Sequence, residues 1–270
     1  MRLASKFLWR AACMAAMAWG SAAAQTPAAC KQPLYLTFDT GHMGVAPLIA
    51  EVLQRQNVKV TFFVAHEKTQ QGDGTLGMTW APWWAARAAE GHEFASHTMD
   101  HVYWLSDRSG AGQARFTVRP SAGAGAGQTL QWSAQDYCDS LKQASTRIET
   151  LTGRASLPLF RAPGGKTSPR LLAAAQSCGY AHVGWAPAGF LGDELPSEKF
   201  SNAKLLTQAL ERIRSGDILM AHLGIWSRTD PWAPAVLEPL ITQLKAKGFC
   251  FATLREHPDF RRWITQSHKG

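Results

Sequence analysis

Five side chains, spread over four short motifs, are of types that together do hydrolytic chemistry. Asp39 sits in Leu36-Thr37-Phe38-Asp39-Thr40-Gly41-His42. Alone it would serve as well as a turn or helix-capping aspartate. His97 and His101 lie four apart in His97-Thr98-Met99-Asp100-His101. On one helical turn that spacing puts both imidazoles on one face, where they can grip one metal ion. Arg161 begins Arg161-Ala162-Pro163-Gly164-Gly165, in which the guanidinium can hold a buried carboxylate ionised and the glycines let backbone N–H groups approach a developing oxyanion. His222 ends Asp217-Ile218-Leu219-Met220-Ala221-His222, where an imidazole can give or take a proton. A carboxylate base, an imidazole acid and a metal pair are the parts needed to hydrolyse an amide.

The elements that must position these groups alternate. Strands are expected at Leu34–Phe38, Lys59–Val64, Glu93–Ala95, Leu157–Phe160, His182–Trp185, Asp217–Met220 and Phe249–Leu254. Helices are expected at Val45–Gln54, Trp80–Ala89, Ala134–Thr150, Pro169–Ser177, Ala203–Ile213 and Ala235–Lys247. That alternation argues for a parallel α/β sheet, and seven strands suit a closed or nearly closed barrel. Each motif then falls at a strand end, where barrels gather their catalytic groups. No G-x-G-x-x-G follows a strand and no P-loop is present, which removes the usual nucleotide reading. Residues 105–130, rich in Gly, Ala, Ser and Arg, break the pattern and read as a long irregular loop, either a surface insertion or a substrate-facing segment.

The 270 residues carry 28 basic and 20 acidic side chains. Arg2, Lys6 and Arg10, an apolar run from Ala11 to Trp19 and Ala22-Ala23-Ala24 before Gln25 read as a secretory signal over residues 1–24. The run is too short for a membrane-spanning helix. The remaining residues, 25–270, suffice for one large domain. Its charge, 25 basic against 20 acidic residues or +5, is mild. Without a dense Lys/Arg stripe, nucleic acid is not an expected partner. Cys30, Cys138, Cys178 and Cys250 permit two disulfides in an oxidising compartment. Cys30 and Cys250 flank the first and last strands and would meet if the sheet closes.

Taken together, the motifs resemble those of carbohydrate esterase family four, the NodB-type polysaccharide deacetylases. The resemblance runs from about Leu34 to Leu254, with Thr37-Phe38-Asp39-Thr40 for T-F-D-D, His97 to His101 for H-[ST]-x-x-H, Arg161 to Gly165 for R-x-P-x-G and Leu219 to His222 for the closing motif. It implies a distorted (β/α)7-type barrel with the catalytic mouth at the C-terminal strand ends, and a divalent metal, commonly zinc. It implies Asp39 as general base, His222 as general acid and Arg161 as the partner that orients and charges Asp39. His97 and His101 become metal ligands. Gly164 helps stabilise the oxyanion, Trp185 forms an aromatic wall, and Met220 lines the acetyl-methyl pocket. Trp226 and Trp232, just after His222, are further candidates for sugar contact, ahead of Trp80, Trp83 and Trp84.

Two departures stand out. The family's second aspartate, a metal ligand, is Thr40 here. A third ligand, as catalytic zinc sites have, is then Thr40, His42, water or Asp39. After Trp185, where the family often tunes its acid histidine with aspartates, the chain reads Ala186-Pro187-Ala188-Gly189-Phe190, and Asp193 is the nearest carboxylate. The expected activity is removal of N-acetyl groups from an amino-sugar polymer, peptidoglycan or an exopolysaccharide, by a periplasmic or secreted enzyme. A carbohydrate-binding relative without catalysis and an O-acetyl esterase are the alternatives.

Overall fold

A computed structural model of the chain describes residues 30–108 and 114–267. The secretory-signal expectation, residues 1–24, lies outside them. Among the described residues no helix is long and apolar enough to cross a membrane.

The inner wall is parallel sheet. Strand β1 (Pro33–Asp39) pairs with β2 (Thr61–Val64), which pairs with β3 (Glu93–Ser96). Strands β4 (Val102–Asp107), β5 (Arg115–Pro120) and β6 (Leu130–Ser133) form a separate sheet. The parallel order continues from β3 to β7 (Leu159–Phe160) and β8 (Ala181–His182). On its other flank β1 pairs with β9 (Ile218–His222), and its first residues pair with β10 (Cys250–Phe251). The turn at Phe190 bridges in parallel to Met220 of β9, so the curled sheet comes round on itself as a distorted barrel. β1 and β2 are buried on nearly every residue, as parallel strands covered on both faces must be.

Helices α1 (Ala46–Arg55), α2 (Ala81–Ala89), α3 (Ala134–Thr152), α4 (Pro169–Ser177), α5 (Asn202–Arg212), α6 (Leu237–Ala246) and α7 (Pro258–Ser267) accompany the sheet. Their starts are written in the sequence. Ser133 and Asp136 form a reciprocal capping box at α3, and Ser168 and Ser201 cap α4 and α5 through Leu171 and Lys204 N–H. Ile49, Val52 and Leu53 of α1 and Leu237, Leu240, Ile241 and Leu244 of α6 bury at helical spacing against β1 and β9. Helix α7 was not foreseen from the sequence.

The irregular reading of residues 105–130 is corrected in part. Residues 105–107, 115–120 and 130 belong to the antiparallel β4–β5–β6 sheet, residues 121–129 form a run of turns, and residues 109–113 lie outside the description. Arg115-Phe116-Thr117-Val118-Arg119 alternates with Phe116 and Val118 buried, a two-residue period that its Gly- and Ala-rich neighbours mask. The sheet packs Val102, Phe116 and Val118 on Tyr137 and Leu141 of α3.

Cys30 bonds Cys250 and Cys138 bonds Cys178, across sequence separations of 220 and 40 residues. On the loop-entropy account such closures stabilise by about 5 and about 4 kcal/mol.

Candidate active site

Strand register brings the site together. Asp39, the last residue of β1, stands beside Phe63 of β2 and His222 of β9. Gly41 is required at the exit because a Cβ there would run into the carbonyl of Gly224. Arg161 directly follows β7 and is fully buried. Its Nη1 donates to Asp39 Oδ1 at 2.6 Å and to Thr37 Oγ1 at 2.9 Å, while Nε and Nη2 donate to the carbonyls of Val183 and Gly184, both at 3.2 Å. The guanidinium lies 4.1 Å from the Phe63 ring centre. A buried cation so enclosed keeps its one carboxylate partner in a single orientation. Burial alone would push the Asp39 carboxyl up, but the charge and hydrogen bond of Arg161, with the charge of His222, outweigh it and hold the group below the usual carboxylate range.

His97 and His101 come together by a different route from the helical turn expected. They flank a tight turn after β3, with Thr98 at φ 62° and His101 at φ 47°. Left-handed backbone at two residues folds the chain back so that the ring centres stand 4.9 Å apart. His97 Nδ1 faces the Arg161 carbonyl at 2.8 Å and so carries the hydrogen. Its Nε2 keeps a lone pair, 3.6 Å from Asp39 Oδ2. Burial drives the ring's pKa down to about 3, so it is neutral at ordinary pH. His101 Nδ1 lies 2.7 Å from Ser121 Oγ, whose hydroxyl donates to the His101 carbonyl at 3.3 Å. The Nδ1–H of His101 therefore points at Ser121, and its Nε2 is also left with a lone pair.

These donors bear on whether a divalent ion fits. An unprotonated imidazole nitrogen facing an ionised carboxylate has no hydrogen to share, and a cation between them relieves the repulsion. Both imidazoles have Nδ1 committed elsewhere, the arrangement that fixes a histidine for Nε2 ligation. Thr40, buried beside them, accepts from Ala65 N–H at 3.1 Å and keeps a second lone pair. Among the described residues no group of three or more His, Cys, Asp and Glu side chains gathers as a metal site. The donor types that remain on this wall of the mouth, two imidazole nitrogens and the Thr40 hydroxyl, are chemically compatible with a divalent ion. His42, the other histidine considered for that role, lines a neighbouring cavity of 260 Å³ instead, with Nδ1 accepting from Gly44 N–H at 2.9 Å.

His222 is held by Asp193. The carboxylate accepts from His222 N–H at 2.6 Å, and both its oxygens lie 3.1 Å from Nδ1. The carboxylate that the sequence left without a partner thus reaches the acid candidate from the loop before α5. Burial pulls the imidazolium down, but the charge and hydrogen bond of Asp193, with Asp39 and Glu194, raise the ring's pKa to about 9. Any reaction that needs protonated His222 then fails only as pH rises through about 9. The pair's stability contribution follows the same sign, complete below the ordinary 6.5 and lost as pH rises through about 9. Asp193→Asn is expected to move the alkaline limb of the kcat/KM profile to 6.5 or lower. At pH 8 that is a loss of about 30-fold relative to wild type. An unmoved limb in a pH-rate series would separate Asp193 from the proton step.

The mouth that these groups share has a volume of about 410 Å³ and is lined by Tyr103, Gly164, Trp185, Met220 and Trp226 as well as Asp39, Thr40, His97, His101 and His222. Gly164 (φ 66°) turns the backbone on the rim, and a Cβ there would press on Tyr103 at 3.0 Å. Trp226 is 60% exposed, while Trp232 is 3% exposed and packs in the core, so its expected contact with sugar is corrected. Trp84 is likewise core. Sequence reasoning missed Glu67, Tyr103 and Ser121 on the lining. Tyr103 lies on β4 and Ser121 directly follows β5, strands that composition concealed, and Glu67 follows β2 outside any motif.

Residues 27–183 match the family described as polysaccharide deacetylase. The chain is 25% identical to a chitooligosaccharide deacetylase of Azorhizobium caulinodans, over 82% of this chain and 92% of that one. It is 23% identical to a peptidoglycan-N-acetylglucosamine deacetylase of Bacillus cereus, over 82% of this chain and 85% of that one. In fold it resembles a family 4 acetyl xylan esterase from Clostridium thermocellum in complex with a cobalt ion. That likeness has a TM-score of 0.62 and 21% identity, covering 86% of this chain and 91% of the other.

Proposed function

The chain belongs to the polysaccharide deacetylase family, and on that premise we propose that it hydrolyses N-acetyl groups of an amino-sugar polymer outside the cytoplasm. The observation that carries the proposal is the facing of two buried ion pairs, Asp39–Arg161 and His222–Asp193, across one mouth that also holds His97 and His101. One pair keeps a carboxylate ionised and the other keeps an imidazole protonated. Amide hydrolysis needs that division, because a base must take a proton from the attacking water and an acid must give one to the departing amine.

In this reading Asp39 takes the water's proton while Arg161 holds it in place. His222 delivers a proton from Nε2, since Nδ1 is tied to Asp193. The backbone N–H at Gly164 meets the oxyanion. Met220 receives the acetyl methyl, and Trp185 and the exposed Trp226 flank the sugar rings. His97, His101 and Thr40 would hold a divalent ion, zinc by donor type, which polarises the carbonyl and acidifies water. Two relatives named for deacetylating amino sugars support the substrate class. Two disulfides suit an oxidising compartment, in keeping with the signal expected over residues 1–24.

Acetate release from N-acetylated chito-oligosaccharides, peptidoglycan fragments and O-acetylated xylan, with zinc and with a chelator, tests the proposal. We expect release from the N-acetyl substrates that the chelator stops. Release from xylan alone would make the chain an O-acetyl esterase. The presence of Thr40 favours one other reading, a sugar-binding protein without catalysis. Oligosaccharide binding with no acetate under any metal would establish it.

A further inference from the structure

Glu67 is the acidic group of the mouth that the reaction described above leaves unused while standing beside a ligand candidate. Its backbone is pinned on both sides by Thr75: Glu67 N–H donates to Thr75 Oγ1 at 2.9 Å, and Thr75 N–H to the Glu67 carbonyl at 3.0 Å. The carboxylate is thereby set on the rim just after β2. Its Oε1 lies 3.8 Å from His101 Nδ1, and its Oε2 is buried without a hydrogen-bond partner among the described residues. A buried carboxylate oxygen with no donor is costly unless some nearby charge needs it.

The nearby group is His101. Its Nδ1–H already donates to Ser121 Oγ at 2.7 Å, so Glu67 adds charge behind the ring rather than a second hydrogen bond. A negative group behind Nδ1–H fixes the tautomer and raises the basicity of Nε2, the nitrogen left for an ion. His97 has only the neutral carbonyl of Arg161 in the equivalent place. Thr40, meanwhile, contributes no charge. We propose that Glu67 is a positioning residue of the metal site, restoring through His101 the negative charge that Thr40 does not bring. The proposal rests on the deacetylase reading, in which His97 and His101 hold the ion.

Zinc titration calorimetry on the full chain, with Glu67→Gln beside wild type, tests it. The change is close to isosteric; it removes the charge and turns one acceptor oxygen into an NH2 donor. We expect the zinc Kd to rise about tenfold to a hundredfold, as loss of such an outer partner costs. The thermal midpoint of the metal-free chain should hold. In the zinc-loaded chain the ¹⁵N resonance of His101 Nδ1 should move while that of His97 Nδ1 stays. Unchanged zinc affinity in Glu67→Gln, or a fall in affinity with the His101 signal unmoved, overturns the proposal. A wild type that takes up no zinc sinks the deacetylase reading with it, whereas an active wild type whose zinc affinity ignores Glu67→Gln sinks this inference alone.

Discussion

Asp39→Asn is expected to lower kcat for acetate release by about a thousandfold, inside the ~10²–10⁴ range that a positioned base contributes. The amide keeps the shape, and its oxygen can still accept from Arg161 Nη1. It cannot take a proton from water, and it leaves Arg161 fully buried without a counter-charge. Removing one member of a buried pair costs about 3–5 kcal/mol. Asn retains the hydrogen bond, so the lower end is expected in urea unfolding at neutral pH. The sign of the pH dependence follows from the depressed carboxyl. Its contribution is present above the ordinary 3.8 and lost as pH falls through the still lower native value. The wild type and Asp39→Asn should therefore converge in stability in strong acid and differ most near neutrality. A full kcat in Asp39→Asn would remove the base from the mechanism.

The sequence was informative where one short segment specifies its own outcome. Strands β1 and β9 read as apolar runs leading into Asp39 and His222, and the structure extends each strand to that residue and sets the two ends side by side. Helix α4 has the expected bounds because Ser168 and Pro169 mark its start and the chain turns at Gly179 just beyond its end. What stayed hidden depends on contacts between distant segments. The His97–His101 pair has helical spacing, yet its geometry comes from left-handed backbone at Thr98 and His101, which no period in the sequence encodes. Asp193 lies twenty-nine residues before His222 in an irregular loop, and only the turn at Phe190 bridging to Met220 carries it there. The hairpin that delivers Tyr103 and Ser121 alternates over barely five residues, amid Gly and Ala that argue for a loop.

His97→Ala should separate the metal reading from the fold in a way that loss of activity cannot. If His97 ligates the ion as proposed, its loss is expected to weaken zinc binding by more than the ~100-fold that loss of an outer partner costs, and acetate release should fall with it. The imidazole is buried and neutral, its pKa driven by desolvation to about 3 against an ordinary 6.5. Between those values the unfolded chain binds a proton that the folded chain refuses, so His97 makes the metal-free protein less stable as pH falls through that window. Alanine removes the penalty and leaves a small cavity in exchange. Chelated His97→Ala should thus unfold at similar or lower denaturant than chelated wild type at pH 7, yet lose less stability between pH 6.5 and about 3. With zinc present the wild type alone gains stability from the ion, because an ion that binds only the folded chain adds to its free energy of unfolding. Identical acid profiles for the two chelated proteins would mean that His97 is hydrated rather than sealed in the mouth, and its role as a pre-organised neutral ligand would go with that.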